Sequence, residues 1–337
     1  MESINIKKLA KDLNLSTSTV SRAFRGNSDI NPETKERILK LAKELNYQPN
    51  LYASSLREQK SKTIAVIMPE LANNFFSQAV KGIERVARDK GYHTLIYVTD
   101  DDFQKEVAII NDLSNGRVDG IIMSASGEAN DHQYLDILQK RKVPLVFFDR
   151  VYDDIVAPKI TTNDYESSFA ATRHLLEAGC KKVAFLVINK SLSIGKMRMQ
   201  GYIDALEEGG ISFRERLVID CSNDHAKSFE IMRKALKTLK PDGLFASVER
   251  LAIASYYACH DLQLSIPEQV KVICFSSLEI APLLNPSLST ITQPARDMGT
   301  RAATLLFNIL EPGKSVALDE HVVLKSTLME RRSTGRE

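Results

Sequence analysis

Cysteine is scarce in this 337-residue chain, and no apolar run approaches the roughly 20 residues needed to span a bilayer. The second shortage removes any membrane partner from the expectations. Cys180, Cys221, Cys259 and Cys274 are scattered, three of them in apolar stretches, with no redox or metal spacing. Buried reduced thiols are the expectation. The six histidines, at positions 93, 132, 174, 225, 260 and 321, form no ligand-like cluster, so neither a metal nor a cofactor is expected. A nucleophile motif and a phosphate-cradling glycine-rich loop are also missing. The carboxylates Asp149, Asp164 and Glu249 therefore lack the company that would make a cleft enzyme of the chain. Also lacking is a basic-then-apolar N-terminus: Lys7, Lys8 and Lys11 alternate with apolar residues. No secretory leader is therefore expected, and the cytoplasm is the expected location.

Charge is nearly balanced overall, at +2, but unevenly spread. Residues 1–62 hold 12 Lys and Arg against 7 Asp and Glu, while the remainder is net acidic by three. A basic head on a mildly acidic body suits contact with phosphates at one end. The head is also patterned. Ile6, Leu9, Ala10 and Leu13 recur at helical spacing, and Asn14 tolerates the left-handed backbone of a tight corner. Ser16 stands where an N-cap belongs, and residues 17–24 continue as a second helix. Val20 and Phe24 face inward, leaving Thr17, Ser18, Ser21 and Arg22 outside, as a helix that reads base edges requires. Capping alone is the bland alternative for a Ser/Thr-rich start, but Ser16 already supplies the cap. Asn31 and Pro32 open a third helix whose stripe of Ile38, Leu41, Ala42 and Leu45 closes a small core. Pro49 ends it, and residues 51–58 form a short helical pattern with no core of its own.

These residues carry a resemblance. The run Ser16-Thr17-Ser18-Thr19-Val20-Ser21-Arg22, then Tyr47-Gln48-Pro49-Asn50 and Ala53-Ser54-Ser55-Leu56, resembles the headpiece and hinge of the lactose-repressor (LacI/GalR) family of bacterial transcription regulators. The resemblance implies DNA contact by Ser16, Thr17, Ser18, Thr19, Ser21, Arg22, Asn50, Ala53 and Leu56. Leu56 would be the hinge leucine wedged into the minor groove at the operator centre. It also implies a homodimer on a pseudo-palindromic operator. The tail after Leu328 has no heptad repeat, so a tetramerising coiled coil is not expected.

From Thr63 onward short apolar runs alternate with amphipathic helices. Strands are expected at 64–68, 94–98, 120–123 and 145–148, separated by helices near 75–90, 104–113 and 134–140. The pattern then restarts with strands at 159–162, 183–187, 217–219, 244–246 and 270–275, and helices over 165–178, 196–208, 229–239 and 251–262. Alternation of this kind builds parallel sheets covered on both faces. Two such halves suggest two doubly wound lobes with a ligand cleft beyond the strands' carboxyl ends. Gly82-Ile83-Glu84, Val118-Asp119-Gly120, Asn163-Asp164, Arg198-Met199-Gln200-Gly201-Tyr202 and Pro286-Ser287-Leu288-Ser289-Thr290 match the family's periplasmic-binding-protein-like (type I) body.

By that resemblance the chain divides into an all-α helix-turn-helix headpiece (1–49), a hinge helix and linker (50–62), and an α/β effector-binding and dimerisation domain (63–337). Lobe 1 would comprise about 63–160 plus 294–321, and lobe 2 about 161–293 plus 322–337. Effector contacts would come from Asn74, Phe75 and Phe76 after the first strand, with Asn73 beside them, and from Asp149 and Arg198. Helix-start packing is an equal expectation for the two phenylalanines. Arg198, with no acid near it in sequence, is the better candidate for a ligand contact. Two departures stand out: Val248-Glu249 where the family has Asn-Asp, and Cys274-Phe275-Ser276-Ser277 where it has Gly-Phe-Asp-Asp. Either the effector differs from a plain hexose, as a phosphorylated or acidic sugar would, or Glu249 and Ser276 take over the missing acid's work. The expected function is a repressor whose operator affinity responds to a sugar-type effector. A solute-binding module without DNA function and a sugar-processing cleft enzyme are the rivals.

Overall fold

The computed structural model describes residues 5–24, 30–45, 47, 60–127, 132–188, 190–314 and 316–335. The chain forms two compact units, 1–61 and 62–337. The first contains α1 (Ile6–Asp12), α2 (Thr17–Phe24) and α3 (Pro32–Glu44). Asn5 caps α1, its side chain accepting from the amides of Lys7 and Lys8. Asn14 adopts the left-handed conformation, with φ 53°, which turns the chain sharply enough for α2 to cross α1. Leu9, Ala10, Val20, Ala23, Ile30, Ile38 and Ala42 make the core, with Phe24 and Tyr47 packed against it.

In the second unit, β1 (Thr63–Met68), α4 (Asn74–Asp89), β2 (His93–Val98), α5 (Phe103–Leu113), β3 (Gly120–Met123), α6 (Asp136–Arg141), β4 (Leu145–Phe148) and β5 (Lys159–Thr162) follow in order. Next come α7 (Asp164–Glu177), β6 (Val183–Val187), α8 (Ser193–Glu208), β7 (Val218–Asp220), α9 (His225–Leu239), β8 (Gly243–Ala246), α10 (Glu249–Asp261), β9 (Lys271–Phe275) and β10 (Ser289–Thr292). The chain finishes with α11 (Ala295–Leu310), β11 (His321–Leu324) and β12 (Thr327–Met329).

Two six-stranded sheets result, ordered β11-β5-β4-β3-β1-β2 and β12-β10-β9-β8-β6-β7. The first is parallel throughout; in the second, β12 runs antiparallel to β10. Buried on both faces, β1, β3, β6 and β8 are the continuous apolar runs that a covered parallel sheet needs. Although β5 stands at the head of the repeating pattern's second half, it pairs with β4 and β11 and so completes the first sheet. The strands β10, β11 and β12 had no counterpart among the expected elements, and the last two share a reason. Both are edge strands whose residues alternate between exposed and half-buried, so no apolar run announces them.

Three connections join the lobes: after Thr162, between β10 and α11, and between β11 and β12. They are tied together. The Ser326 amide donates to Asn163 Oδ1 at 2.8 Å, and Gln293 Nε2 donates to Thr162 Oγ1 at 3.1 Å. Each lobe also has a helix pair in near-backbone contact. A Cβ on Gly299 of α11 would overlap the Ala79 carbonyl of α4, and one on Gly201 of α8 would overlap the Tyr165 carbonyl of α7.

Candidate functional sites

The Ser16 hydroxyl caps α2, accepting from the Thr19 amide at 3.1 Å and lying 2.8 Å from the Thr19 hydroxyl. That arrangement satisfies an otherwise unpaired first-turn donor. With Val20 and Ala23 committed to the core, Thr17, Ser18 and Arg22 are exposed, while Thr19 and Ser21 are half-buried. The helix thus offers hydroxyls and a guanidinium on one side, the chemistry that pairs with base edges and phosphates. Asn50, Ala53 and Leu56 lie outside the described residues.

The second site lies between the lobes. Its cavity is lined by Glu70, Asn73, Phe75, Phe76, Asp149 and Arg150 from the first lobe's strand ends, and by Arg198, Ser247, Glu249, Phe275 and Ser276 from the second's. The carboxyl ends of β1, β4, β8 and β9 open here because ligands in such sheets sit beyond that edge. Asn73 caps α4 by accepting from the Phe75 amide at 2.9 Å. Both Phe75 and Phe76 are buried in the first lobe's core, edge to face with one another, and they also form part of the cavity wall.

Asp149 is buried with φ 62°. Ser124 Oγ donates to it at 3.3 Å. Loss of solvent pushes its carboxyl up to about 6, against the opposing pull of Arg150 and Arg198. Arg198 does have an acidic partner, contrary to its apparent isolation in sequence: Nε donates to Asp164 Oδ1 at 2.7 Å. A second nitrogen donates to the Ser247 carbonyl at 2.6 Å, and the guanidinium lies 3.7 Å from the centre of the Phe275 ring. This arginine is a fixed plate in the wall. Glu249, the first residue of α10, accepts from Asn74 Nδ2 at 2.8 Å and from Ser276 Oγ at 2.7 Å. Asn74 reaches it from the other lobe.

Several wall residues were not singled out from the sequence. Arg150 bonds Asp101, and Arg250 bonds Glu70 across the lobes. Gln78 Nε2 donates to the Ser277 carbonyl at 3.2 Å, also across the lobes. The adjacency of Arg150 to Asp149 and of Arg250 to Glu249 was the available signal. Partners separated by 49 and 180 positions gave none.

Comparison with known proteins agrees with this geometry. Residues 5–50 match the bacterial regulatory proteins of the lacI family, and residues 172–334 match the periplasmic binding protein-like domain. The chain is 27% identical over 306 residues to catabolite control protein A of Priestia megaterium, covering 90% of this chain and 91% of that one. It is 28% identical over 328 residues to the ribose operon repressor of Haemophilus influenzae, covering 96% and 98%. Among solved structures, a transcriptional regulator CelR–cellobiose complex superimposes with a TM-score of 0.73 at 23% identity, over 98% of this chain and 99% of that one. An Enterococcus faecium LacI-family regulator with bound ribose gives 0.71 at 24% identity, over 80% and 98%. At such identity these two structures speak for the fold. The chain belongs to the LacI family: it is a DNA-binding transcriptional regulator carrying a periplasmic-binding-protein-like effector domain. That family consists of transcription regulators and not of enzymes. Among the described residues no helix is long and apolar enough to cross a membrane.

Proposed function

We propose that this regulator is a repressor that binds a pseudo-palindromic operator as a homodimer, and that a sugar-type effector in the interlobe cleft tunes its grip. The observation that carries the DNA half is the exposed Thr17, Ser18 and Arg22 face on a capped helix whose opposite face is spent on the core. Arg22 serves a guanine edge and the hydroxyls serve bases or a thymine methyl, with Ser16, Thr19 and Ser21 beside them. Asn50 and Ala53 accompany Leu56 in the minor groove.

In the cleft, Asn74, Phe75, Phe76, Asp149, Arg198, Glu249 and Ser276 are the effector contacts. Their mixture of carboxylates, amides and hydroxyls suits a ligand rich in hydroxyl groups. The ribose and cellobiose named for the two structural neighbours accord with that chemistry. Pairing of two copies is supported by Leu95 and Ile96, exposed on the edge strand β2, and by the exposed Tyr257, Ile280 and Leu283 of the second lobe. The lobes hinge on ligand binding and bias the segment 50–62 between DNA-competent and DNA-incompetent forms. As a DNA-binding regulator it works in the cytoplasm, where the chromosome is.

Selection of bound duplexes from a random pool, repeated with sugars present, tests the reading. An inverted repeat with a deformable central step is expected. Absence of preference for any duplex, with or without sugars, would overturn it. Leu56→Ala should weaken specific binding far more than non-specific binding, and an equal loss of both would refute the wedge.

A further inference from the structure

The cleft's charges are unevenly matched. Each guanidinium on its walls already has a carboxylate: Arg150 has Asp101, Arg198 has Asp164 and Arg250 has Glu70. Two further carboxylates are less well matched: Asp149 only shares Arg150 with Asp101, and Glu249 has no cation against it among the described residues. Asp149 has its strongest opposite charge, the Arg150 Nε, at 4.0 Å, beyond hydrogen-bond reach. Among the described residues Glu249 is held by neutral donors, Asn74 Nδ2 on one oxygen and Ser276 Oγ on the other. Each carboxylate oxygen has two lone pairs, so both acids keep acceptor capacity for a ligand. Two buried polar atoms on the same walls, Arg150 Nε and Ser247 Oγ, have no hydrogen-bond partner among the described residues. The wall therefore offers carboxylate acceptors with spare capacity next to donors without an acceptor among the described residues.

From this arrangement, and on the reading that the cleft binds a sugar-type effector, we propose a charge selection. The cleft takes an uncharged polyhydroxylated ligand and discriminates against its phosphorylated and carboxylated counterparts, with Glu249 setting the discrimination. A hydroxyl both donates and accepts. It can give its proton to Asp149 or Glu249 while its oxygen accepts from Arg150 Nε or Ser247 Oγ. A phosphate or carboxylate only accepts, and it would add negative charge beside Glu249, which has no cation against it among the described residues, and Asp149, which only shares Arg150. The best case for an anion is the wall formed by Arg150, Arg198, Arg250 and the start of α8, where Leu192 provides no side-chain cap. There, too, each guanidinium's charge is already balanced.

Local structure fixes Glu249 in this role. As the first residue of α10 it sits at the helix end that favours an anion. Ser276 is held in turn, because its oxygen accepts from the Leu278 amide at 3.0 Å while its proton goes to Glu249. Residues 249 and 276 thus share one spot, and a carboxylate introduced from position 276 could occupy it.

The test is calorimetric titration of the full chain with neutral pentoses, hexoses and disaccharides, their phosphates, and the matching sugar acids. A neutral sugar should bind at least about tenfold more tightly than its anionic counterparts, as expected when a charge-assisted hydrogen bond is replaced by like-charge contact. Glu249→Gln should narrow that gap, by admitting the anion as well as weakening the neutral ligand. Glu249→Ser should lose the neutral ligand, and adding Ser276→Asp to it should restore binding to within a few-fold. Cooperative thermal unfolding of each variant with a midpoint near that of the wild type shows that the effector domain is folded. Tighter binding of a sugar phosphate or sugar acid, or a gap unchanged in Glu249→Gln, would overturn the charge selection while leaving the sugar reading intact. Failure of every sugar, neutral and anionic, would overturn that reading and this inference with it.

Discussion

Asp149→Asn should make the effector domain more stable at neutral pH while weakening what it binds. The carboxyl stands at about 6 against an ordinary 3.8, mainly because burial disfavours its charged form. An acid whose folded pKa is raised holds its proton more tightly in the native state. Stability therefore falls as pH rises from the unfolded pKa through the folded one, here from about 4 to about 6. About two units at ~1.4 kcal/mol each is about 3 kcal/mol. Asp149 is only 6% exposed, so solvent screening removes little of this. Asparagine keeps the shape and can still accept from Ser124, but never ionises. Urea unfolding of wild type and variant, in parallel from pH 4 to pH 7.5, isolates the term, because other titrations cancel in the difference. The variant should gain about 2–3 kcal/mol relative to wild type across that range, most of it between pH 4 and pH 6. A difference that stays flat to within about 0.5 kcal/mol would mean that Asp149 bears no burial penalty, and the electrostatic picture of the cleft would fail with it.

The same group predicts that effector affinity weakens on acidification below pH 6, because a protonated Asp149 accepts less well from a ligand hydroxyl. Calorimetry at pH 5 and pH 7.5 checks this, and equal affinities would place the contact elsewhere. Gly299→Ala should destabilise the domain by about 3 kcal/mol, the upper end for overpacking, since the new methyl overlaps the Ala79 backbone carbonyl and not a movable side chain. Thermal unfolding would reveal it, and an unchanged midpoint would mean that α4 and α11 separate freely. Arg22→Ala should cost about 1–3 kcal/mol of operator affinity and relax selection at one base position, which competition binding with single-base operator variants measures. A uniform loss across all variants would make Arg22 a phosphate contact.

Much of the fold could be read before any coordinates. The runs 64–68 and 183–187 are apolar throughout because parallel strands in a covered sheet have no solvent face. Asn14 marked its corner through its tolerance of positive φ. The failures have equally physical origins. β11 and β12 bury little, so their pattern is that of an exposed loop, and only pairing with β5 and β10 makes them strands. Asp149, Glu249 and Ser276 were pointed to by the resemblance, and all three line the cavity. The Asp164–Arg198 pair was not legible, since 34 residues separate two groups that meet only when α7 packs on α8. That Ser276 bonds Glu249 was likewise beyond the sequence. The distance from Ser276 to Glu249 depends on how β9 and α10 are set in three dimensions.

The triple passage of the backbone between the two α/β layers also constrains engineering and motion. Since the layers exchange the chain at residues 163, 293–294 and 325–326, no single cut liberates either half as a contiguous polypeptide. Truncation before β11 would strip an edge strand from both. With those passages laced to one another through Asn163, Ser326, Thr162 and Gln293, opening resembles a stiff book spine. Sliding or twisting of the halves would break these two hydrogen bonds, whereas a bend about the line of the three passages would keep them.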